Sequence, residues 1–298
     1  MSTGSQARVL APAKINLGLE ITGRRADGYH DIRSVLAMVD LNDELTFTLR
    51  GNSRATRIDG MPHIPQADNL VTRAIVAFTS RTGIEAACDV GVQKRIPAPS
   101  GLGGGSSDAA ATLLVLNQSH GCPLREDEIH LLGASLGSDV PFFLGSPAAL
   151  ASGIGTTLAP LPAPAGWVLI VVPSLDLRAK TAALYSSIRP MNFTDGRNVE
   201  RIAECIRAGQ SIPTELLTNA FERPLEAIVP GIRDLVRRMS QAGCGNVALS
   251  GAGPAHYSIF ETENLAHEVA QRMKGSLKPG EQLFVAPFRT SPLTVKIQ

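Results

Sequence analysis

Apolar residues at 15, 17, 19 and 21 alternate with Asn16, Gly18 and Glu20, a period of two that predicts a strand with one buried face. Val35 to Leu41 and Glu44 to Leu49 predict two further strands, joined by a turn at Asn42-Asp43. The period then changes. Between Asp68 and Thr82 the apolar positions are 70, 71, 74, 75 and 78, a helical stripe that Asp68 or Asn69 would cap. Val90 to Ile96 predicts a strand running into a glycine-rich stretch. Ser106 to Asn117 is nearly all apolar and predicts a buried helix, and Glu126 to Leu136 predicts another.

Pro160, Pro162 and Pro164 interrupt all regular structure in this reading and mark a domain boundary, 1–160 against 161–298. Beyond them Trp167 to Val172 is a strongly apolar strand. Pro230 or Gly231 opens a helix to about Gln241, with proline near the first turn. Val247 to Ser250 and His256 to Phe260 read as strands flanking Gly251-Ala252-Gly253-Pro254. Asn264 to Met273 reads as a helix and Gln282 to Phe288 as a strand. Both halves are therefore α+β, without internal repeats or low-complexity tracts.

Composition narrows the function classes. The 28 basic and 27 acidic residues leave a net charge of +1, and no long like-charge run offers a surface to nucleic acid or membrane. Met1 to Arg8 is polar, and no apolar run reaches membrane-spanning length. The expectation is a soluble cytoplasmic protein. Cys88, Cys122, Cys205 and Cys244 have neither C-x-x-C spacing nor a histidine cluster, so reduced thiols are expected and no zinc site.

The stretch Pro97-Ala98-Pro99-Ser100-Gly101-Leu102-Gly103-Gly104-Gly105-Ser106-Ser107-Asp108 carries the chemistry. Glycines strip the backbone of side chains and permit positive φ, so a ligand can approach the main chain. Ser-Ser-Asp then looks like a helix start with hydroxyls at the cap. Amides aimed along a helix N-terminus form an anion site, for which polyphosphate is a common ligand. No lysine follows the glycines as a P-loop requires, and Ser106 stands where the dinucleotide fingerprint needs its last glycine.

Pro97 to Ala110 resembles the second motif of the GHMP kinases. Ala11-Pro12-Ala13-Lys14-Ile15-Asn16-Leu17 resembles the first, and Leu249-Ser250-Gly251-Ala252-Gly253-Pro254 the third. The resemblance spans roughly residues 8 to 290. Gly23 to His30 and Leu136 to Phe143 narrow it to the branch whose acceptor is a cytidine-diphosphate sugar alcohol. The resemblance implies an N-terminal domain like ribosomal protein S5 domain 2, a ferredoxin-like C-terminal domain and an active site in the cleft between them. It also implies ATP and Mg²⁺, small-molecule partners, and neither nucleic acid nor membrane. Monomer and homodimer both stay open.

Residue by residue, the resemblance makes Asp139 the general base and Lys14 the cation that offsets developing negative charge. It assigns Pro97, Gly101, Leu102, Gly103, Gly104, Gly105, Ser106 and Ser107 to the nucleotide, with at least one hydroxyl on the β- or γ-phosphate or the metal. No side chain is assigned as a metal ligand, and Asp108 is left outside the catalytic set. Tyr29 would stack on the cytosine, His30 would read its edge, and Tyr185 would be a second aromatic over the base. Asn16, two residues after Lys14, should share its side of the strand and meet the acceptor's hydroxyls or phosphate. Two alternatives remain: another GHMP kinase acting on homoserine, a mevalonate-type compound or a sugar, and a catalytically silent nucleotide sensor.

Overall fold

The computed structural model describes residues 6–49, 56–61, 64–65, 68–175, 180–229 and 231–297, the side chains of 180–182 excepted. It opens with two long antiparallel strands, β1 (Gln6–Arg24) and β2 (His30–Leu49). The predicted strand at 15–21 is thus the centre of a longer one. Simple alternation understates its length because every residue from 11 to 21 is buried. Nor is there a turn at Asn42-Asp43, since β2 runs through it. The register shifts instead: Pro12 pairs with Asn42 but Ala13 with Val39, leaving Asp40 and Leu41 as the extra residues of a bulge. Asp43 stays in the strand because its carboxylate has partners. Its Oδ1 accepts the N–H groups of Arg95 (2.6 Å) and Ile96 (2.9 Å), and its Oδ2 pairs with Lys94.

Short strands β3 (Arg57–Asp59), β4 (Cys88–Gln93), β5 (Ala148–Ser152) and β6 (Thr157–Leu161) extend this sheet. The last strand of the chain, Val295–Ile297, returns to pair with the start of β1. Pro160 lies inside β6, against the expectation that the prolines break all regular structure. β6 is an edge strand paired to β5, where a missing N–H can face away from the ladder. Helices α1 (Leu70–Thr82), α2 (Gly104–Ser119), α3 (Glu126–Leu136) and α4 (Val140–Leu144) accompany the sheet. Asn69 caps α1, accepting from Val71 N at 2.9 Å. α2 is buried along most of its length, which accounts for its lack of a polar face.

The second sheet is antiparallel and has four strands: β7 (Trp167–Val172), β8 (Ala248–Leu249), β9 (His256–Phe260) and β10 (Gln282–Pro287). Their spatial order, β10-β7-β9-β8, is the ferredoxin-like one. Between β7 and β8 run α5 (Lys180–Ser187), α6 (Arg197–Arg207), α7 (Glu222–Ile228) and α8 (Ile232–Ala242). Between β9 and β10 runs α9 (Glu263–Lys274). Gly231 opens α8 at φ 101°, while Pro230 lies outside the described residues. Among the described residues no helix is long and apolar enough to cross a membrane. The four cysteines are free; Cys88 and Cys244 are buried, and Cys122 is exposed.

The two sheets share a core. Ala13, Ile15 and Leu17 of β1 pack with Val168 and Ile170 of β7 and with Tyr257 of β9. Alternation then turns Lys14 and Asn16, which lie between them, to the opposite side. Register shifts at Pro12/Ala13 and Asn16/Gly18 bracket this pair, and bulges of this kind re-aim side chains next to sites.

Candidate active site

Lys14 is 3% exposed, so its charge needs partners. Its Nζ donates to Asn16 Oδ1 at 2.7 Å and lies 3.5 Å from Asp139 Oδ2. Asn16 in turn donates from Nδ2 to Ser34 Oγ at 2.8 Å, and Ser34 Oγ donates to Gly18 O at 2.7 Å. Asn16 is therefore committed on both ends of its amide and orients Lys14. Asp139 precedes the short helix α4 and keeps its carboxylate partly open to solvent. Lys14, Asn16 and Asp139 line one cavity of about 250 Å³ together with Gly101, Gly103, Gly251 and Tyr185. Here the structure brings together residues separated by more than a hundred positions.

The glycine stretch forms the adjoining wall. α2 starts at Gly104, two residues before the predicted start. Its N-cap is Gly103 in the left-handed conformation (φ 73°), with no side-chain capping bond. Ser106 and Ser107 thus do not cap the helix; they lie in its first turn. The serine caps fail because Gly103 ends the loop where a left-handed residue is needed. A Cβ there would stand 3.0 Å from Lys14 Cγ and from a Phe143 ring carbon. Gly101, at φ 85°, packs against the loop between β8 and β9, with Ser250 Oγ donating to Gly101 O at 3.0 Å. Leu102 contributes main chain only: its side chain is buried and its carbonyl accepts Lys14 N–H at 2.9 Å. Pro97 stands at the outer end, its carbonyl accepting Ser100 Oγ at 2.6 Å.

Two observations fit this wall to a polyphosphate. Ser107 Oγ is buried without a protein partner at the first turn of a helix, where an anion would supply one. Gly105 has no steric need to be glycine, since the nearest atom to a Cβ there is Leu70 Cδ1 at 3.5 Å. Beneath the loop, Lys94 joins Asp43 to Asp108, donating to Asp108 Oδ2 at 2.8 Å. Burial pushes the Asp108 carboxyl up, and Lys94 opposes that. Asp108 thus ties α2 to β2 and does not enter the 250 Å³ cavity.

A second cavity, of about 480 Å³, is lined by Arg24, Tyr29, His30, Tyr185 and Arg189. Ser138, Ile154 and Tyr185 line both cavities, so the two are contiguous. The turn before β2 is fixed locally: Arg25 N–H donates to Tyr29 O at 2.7 Å, and Tyr29 N–H to Asp27 Oδ1 at 3.1 Å. Tyr29 stands at the rim, 63% exposed. His30 lies on the Tyr185 ring, with centroids 5.4 Å apart and planes at 26°, and Tyr185 meets Phe221 edge-to-face at 4.8 Å. Burial and the neighbouring Arg24 hold the His30 pKa below its usual value. In this arrangement His30 occupies the face of Tyr185 that the sequence reading leaves to a base.

Models of the GHMP kinases N-terminal domain and of the GHMP kinases C-terminal region match residues 69–147 and 193–278. A 4-diphosphocytidyl-2-C-methyl-D-erythritol kinase from Dehalococcoides mccartyi is 39% identical over 264 residues, 88% of this chain and 92% of that one. The chain belongs to the GHMP kinase family. As a GHMP kinase it is an ATP-dependent phosphotransferase. A second relative of the same description, from Geobacter metallireducens, is 35% identical over 268 residues, 89% of this chain and 93% of that one. A crystal structure of 4-(cytidine 5'-diphospho)-2C-methyl-D-erythritol kinase matches at TM-score 0.80 and 32% identity, covering 94% of this chain and 98% of that chain. The structure of homoserine kinase from Cytophaga hutchinsonii matches at TM-score 0.77 and 20% identity, covering 100% of this chain and 99% of that one. That likeness concerns the fold alone, so the fold does not choose the acceptor.

Proposed function

We propose that this chain transfers the γ-phosphoryl group of ATP to the 2-hydroxyl of 4-diphosphocytidyl-2-C-methyl-D-erythritol. One observation carries the reading: the cavity floored by Lys14 and Asp139 runs directly into a cavity of about 480 Å³ lined by Tyr29, His30 and Tyr185, which has room for a nucleobase. The acceptor's hydroxyl end would lie in the first and its cytosine in the second. Asp139 would accept the hydroxyl proton as that oxygen bonds to the γ-phosphorus and the bond to the β–γ bridging oxygen breaks, with ADP leaving. Lys14, held by Asn16, would stabilise the charge on the transferring group and keep the carboxylate aimed.

The amides of Gly104, Gly105 and Ser106 would receive the phosphates, with the Ser107 hydroxyl as an added ligand. Mg²⁺ would arrive with the nucleotide, since it takes substrate phosphates and water as ligands. Tyr29 would stack on the cytosine, and Tyr185, whose face His30 covers, would back the His30 ring. A neutral His30, with one donor and one acceptor nitrogen, would meet its edge. We read the reaction as cytoplasmic and the chain as divided near 160/161. That division is supported by the change of sheet between Leu161 and Trp167, and Val295–Ile297 departs from it by returning to the first sheet.

ADP release with a panel of acceptors tests the reading. Turnover is expected with the cytidine-diphosphate sugar alcohol and not with homoserine, mevalonate or galactose. Turnover of one of those three alone would overturn the acceptor assignment, and no turnover with any alcohol would leave a nucleotide sensor.

A further inference from the structure

Behind the 250 Å³ cavity sits Asn219, which lines no part of it. Its side chain is buried, 7% exposed, and its amide is used at both ends. Nδ2 donates to the carbonyls of Leu249 and Gly251, each at 2.9 Å. Oδ1 accepts the N–H of Phe221 at 2.9 Å. The backbone on either side of Asn219 is pinned to β1. Leu19 N–H donates to Thr218 O at 2.9 Å, and Ala220 N–H donates to Leu19 O at 2.8 Å. The segment 218–220 thus links the strand that bears Lys14, through its backbone, to the loop after β8 and the start of α7, through the Asn219 side chain.

Two of the three residues Asn219 grips are cavity wall. Gly251 and Phe221 line the cavity, and Ala252, the next residue, lines it too. Phe221 supports Tyr185 edge-to-face. A Cβ on Gly251 would stand 3.2 Å from both Lys14 Nζ and Asn16 Oδ1, so this loop is packed directly on the Lys14–Asn16 pair. Asparagine suits the task uniquely among residues of its size. It offers two donors on one atom and an acceptor on the other. Aspartate in its place would turn two donated bonds into oxygen facing oxygen, and leucine would leave two carbonyls and an N–H unpaired.

We propose that Asn219 is a positioning residue for the acceptor. It holds the Gly251 loop and Phe221 so that the cavity is shaped before the acceptor enters. On the phosphate side Ser250 Oγ donates to Gly101 O from within the same loop, but Ala255 N–H holds Ser100 O at 3.0 Å from outside it, a tie that Asn219 does not touch. The inference rests on the proposed function only for the identity of the acceptor.

Asn219→Asp and Asn219→Ser in the full chain test it. Misplacement of about 1 Å can cost on the order of 100-fold, so Asn219→Asp should lower kcat/KM for the acceptor by roughly 10- to 100-fold. The Kd for ATP, titrated without acceptor, should move by less than about threefold, which is under half a decade in binding. Asn219→Ser keeps one donor and one acceptor, should fold, and should fall between the wild type and Asn219→Asp. Hydrogen exchange at residues 249–252 and at Phe221 should quicken in both variants. Near-normal kcat/KM in both would overturn the proposal. So would equal losses of ATP and acceptor affinity that track a falling Tm. If the wild type itself does not turn over the cytidine acceptor, the proposed function fails, and hydrogen exchange still decides: faster exchange confined to these segments supports the positioning role, and unchanged exchange overturns it.

Discussion

The glycine-loop wall of the cleft is made of main chain, and the wall around Tyr29, His30 and Tyr185 of side chains; the first is the proposed phosphate side and the second the proposed base side. On the first, Gly103 opens α2 in a left-handed conformation, Gly101 packs against the Ser250 loop, and the helix end carries no side-chain cap. On the second, Tyr29 projects from the turn before β2, His30 lies on Tyr185, and Tyr185 leans on Phe221. A main-chain site is stiff because the sheet and helix that carry it are stiff. As the proposed nucleotide side it would read charge and shape common to every nucleoside triphosphate. A side-chain site can be rebuilt one residue at a time, which is how one fold can serve several acceptors. Lys14 and Asp139 sit where the two walls meet.

The sharpest break is at that junction. Asp139→Asn should leave the fold and both ligands' binding intact, because amide and carboxylate are nearly isosteric. It should lower kcat by roughly 10²- to 10⁴-fold, the usual contribution of a general base. Near-normal kcat with unchanged KM values would return Asp139 to the role of a residue that merely precedes α4.

Tyr29→Ala addresses the side-chain wall alone. Stacking of a base on an aromatic is worth about 1–3 kcal/mol by alanine substitution. KM for the cytidine-containing acceptor should therefore rise roughly 5- to 150-fold while KM for ATP stays in place. A rise in KM for ATP instead would exchange the two walls and remove the argument for cytidine. Gly103→Ala is the mirror experiment. A left-handed alanine costs about 1–2 kcal/mol, and its Cβ would press on Lys14 and Phe143. ATP affinity should fall about tenfold and acceptor affinity less. Equal losses on both sides would mean that the two walls are not separable.

The same contrast explains what the sequence made legible. A main-chain cradle is contiguous, so Pro97 to Ser107 is visible as one run of glycines and hydroxyls. Its two serines are misread as caps because a free serine at a helix start usually is one, and only the structure leaves Ser107 Oγ unpartnered. The Lys14–Asn16 pair is legible from strand alternation, whereas Asp139 is reachable only through family resemblance. The side-chain wall is assembled from 24–30, 138, 154 and 185–189, and no local pattern links these segments. Asp43 looks like a turn residue because its partners, Lys94, Arg95 and Ile96, lie some fifty positions away. α6 carries a helical stripe at Val199, Ile202, Ala203 and Ile206 that the sequence reading passes over. α4, of five residues, is too short for any period to show, whereas β8 lies inside the strand read at Val247 to Ser250.

The smallest expected effect lies behind the walls, at Glu222, in the segment that follows Asn219. Burial pushes its carboxyl up to about 7, with Glu226 adding to this and the Leu249 N–H opposing it. A carboxyl whose folded pKa is raised contributes stability below its unfolded value, near 4.5, and that contribution is lost as pH climbs through about 7. Glu222→Gln keeps an oxygen acceptor for Leu249 N–H and removes the buried charge. The variant should match the wild type near pH 4 and be more stable at pH 8, by on the order of 2 kcal/mol. Thermal melts of both proteins across that range would show it as a Tm gap of several degrees that opens between about pH 4.5 and pH 7 and then stays level. The gap should appear without change in KM for ATP, since Glu222 touches neither the glycine loop nor α2. Parallel melting curves across the range would mean that Glu222 reaches solvent in solution, and that the loop after β8 breathes more than Asn219 alone would allow.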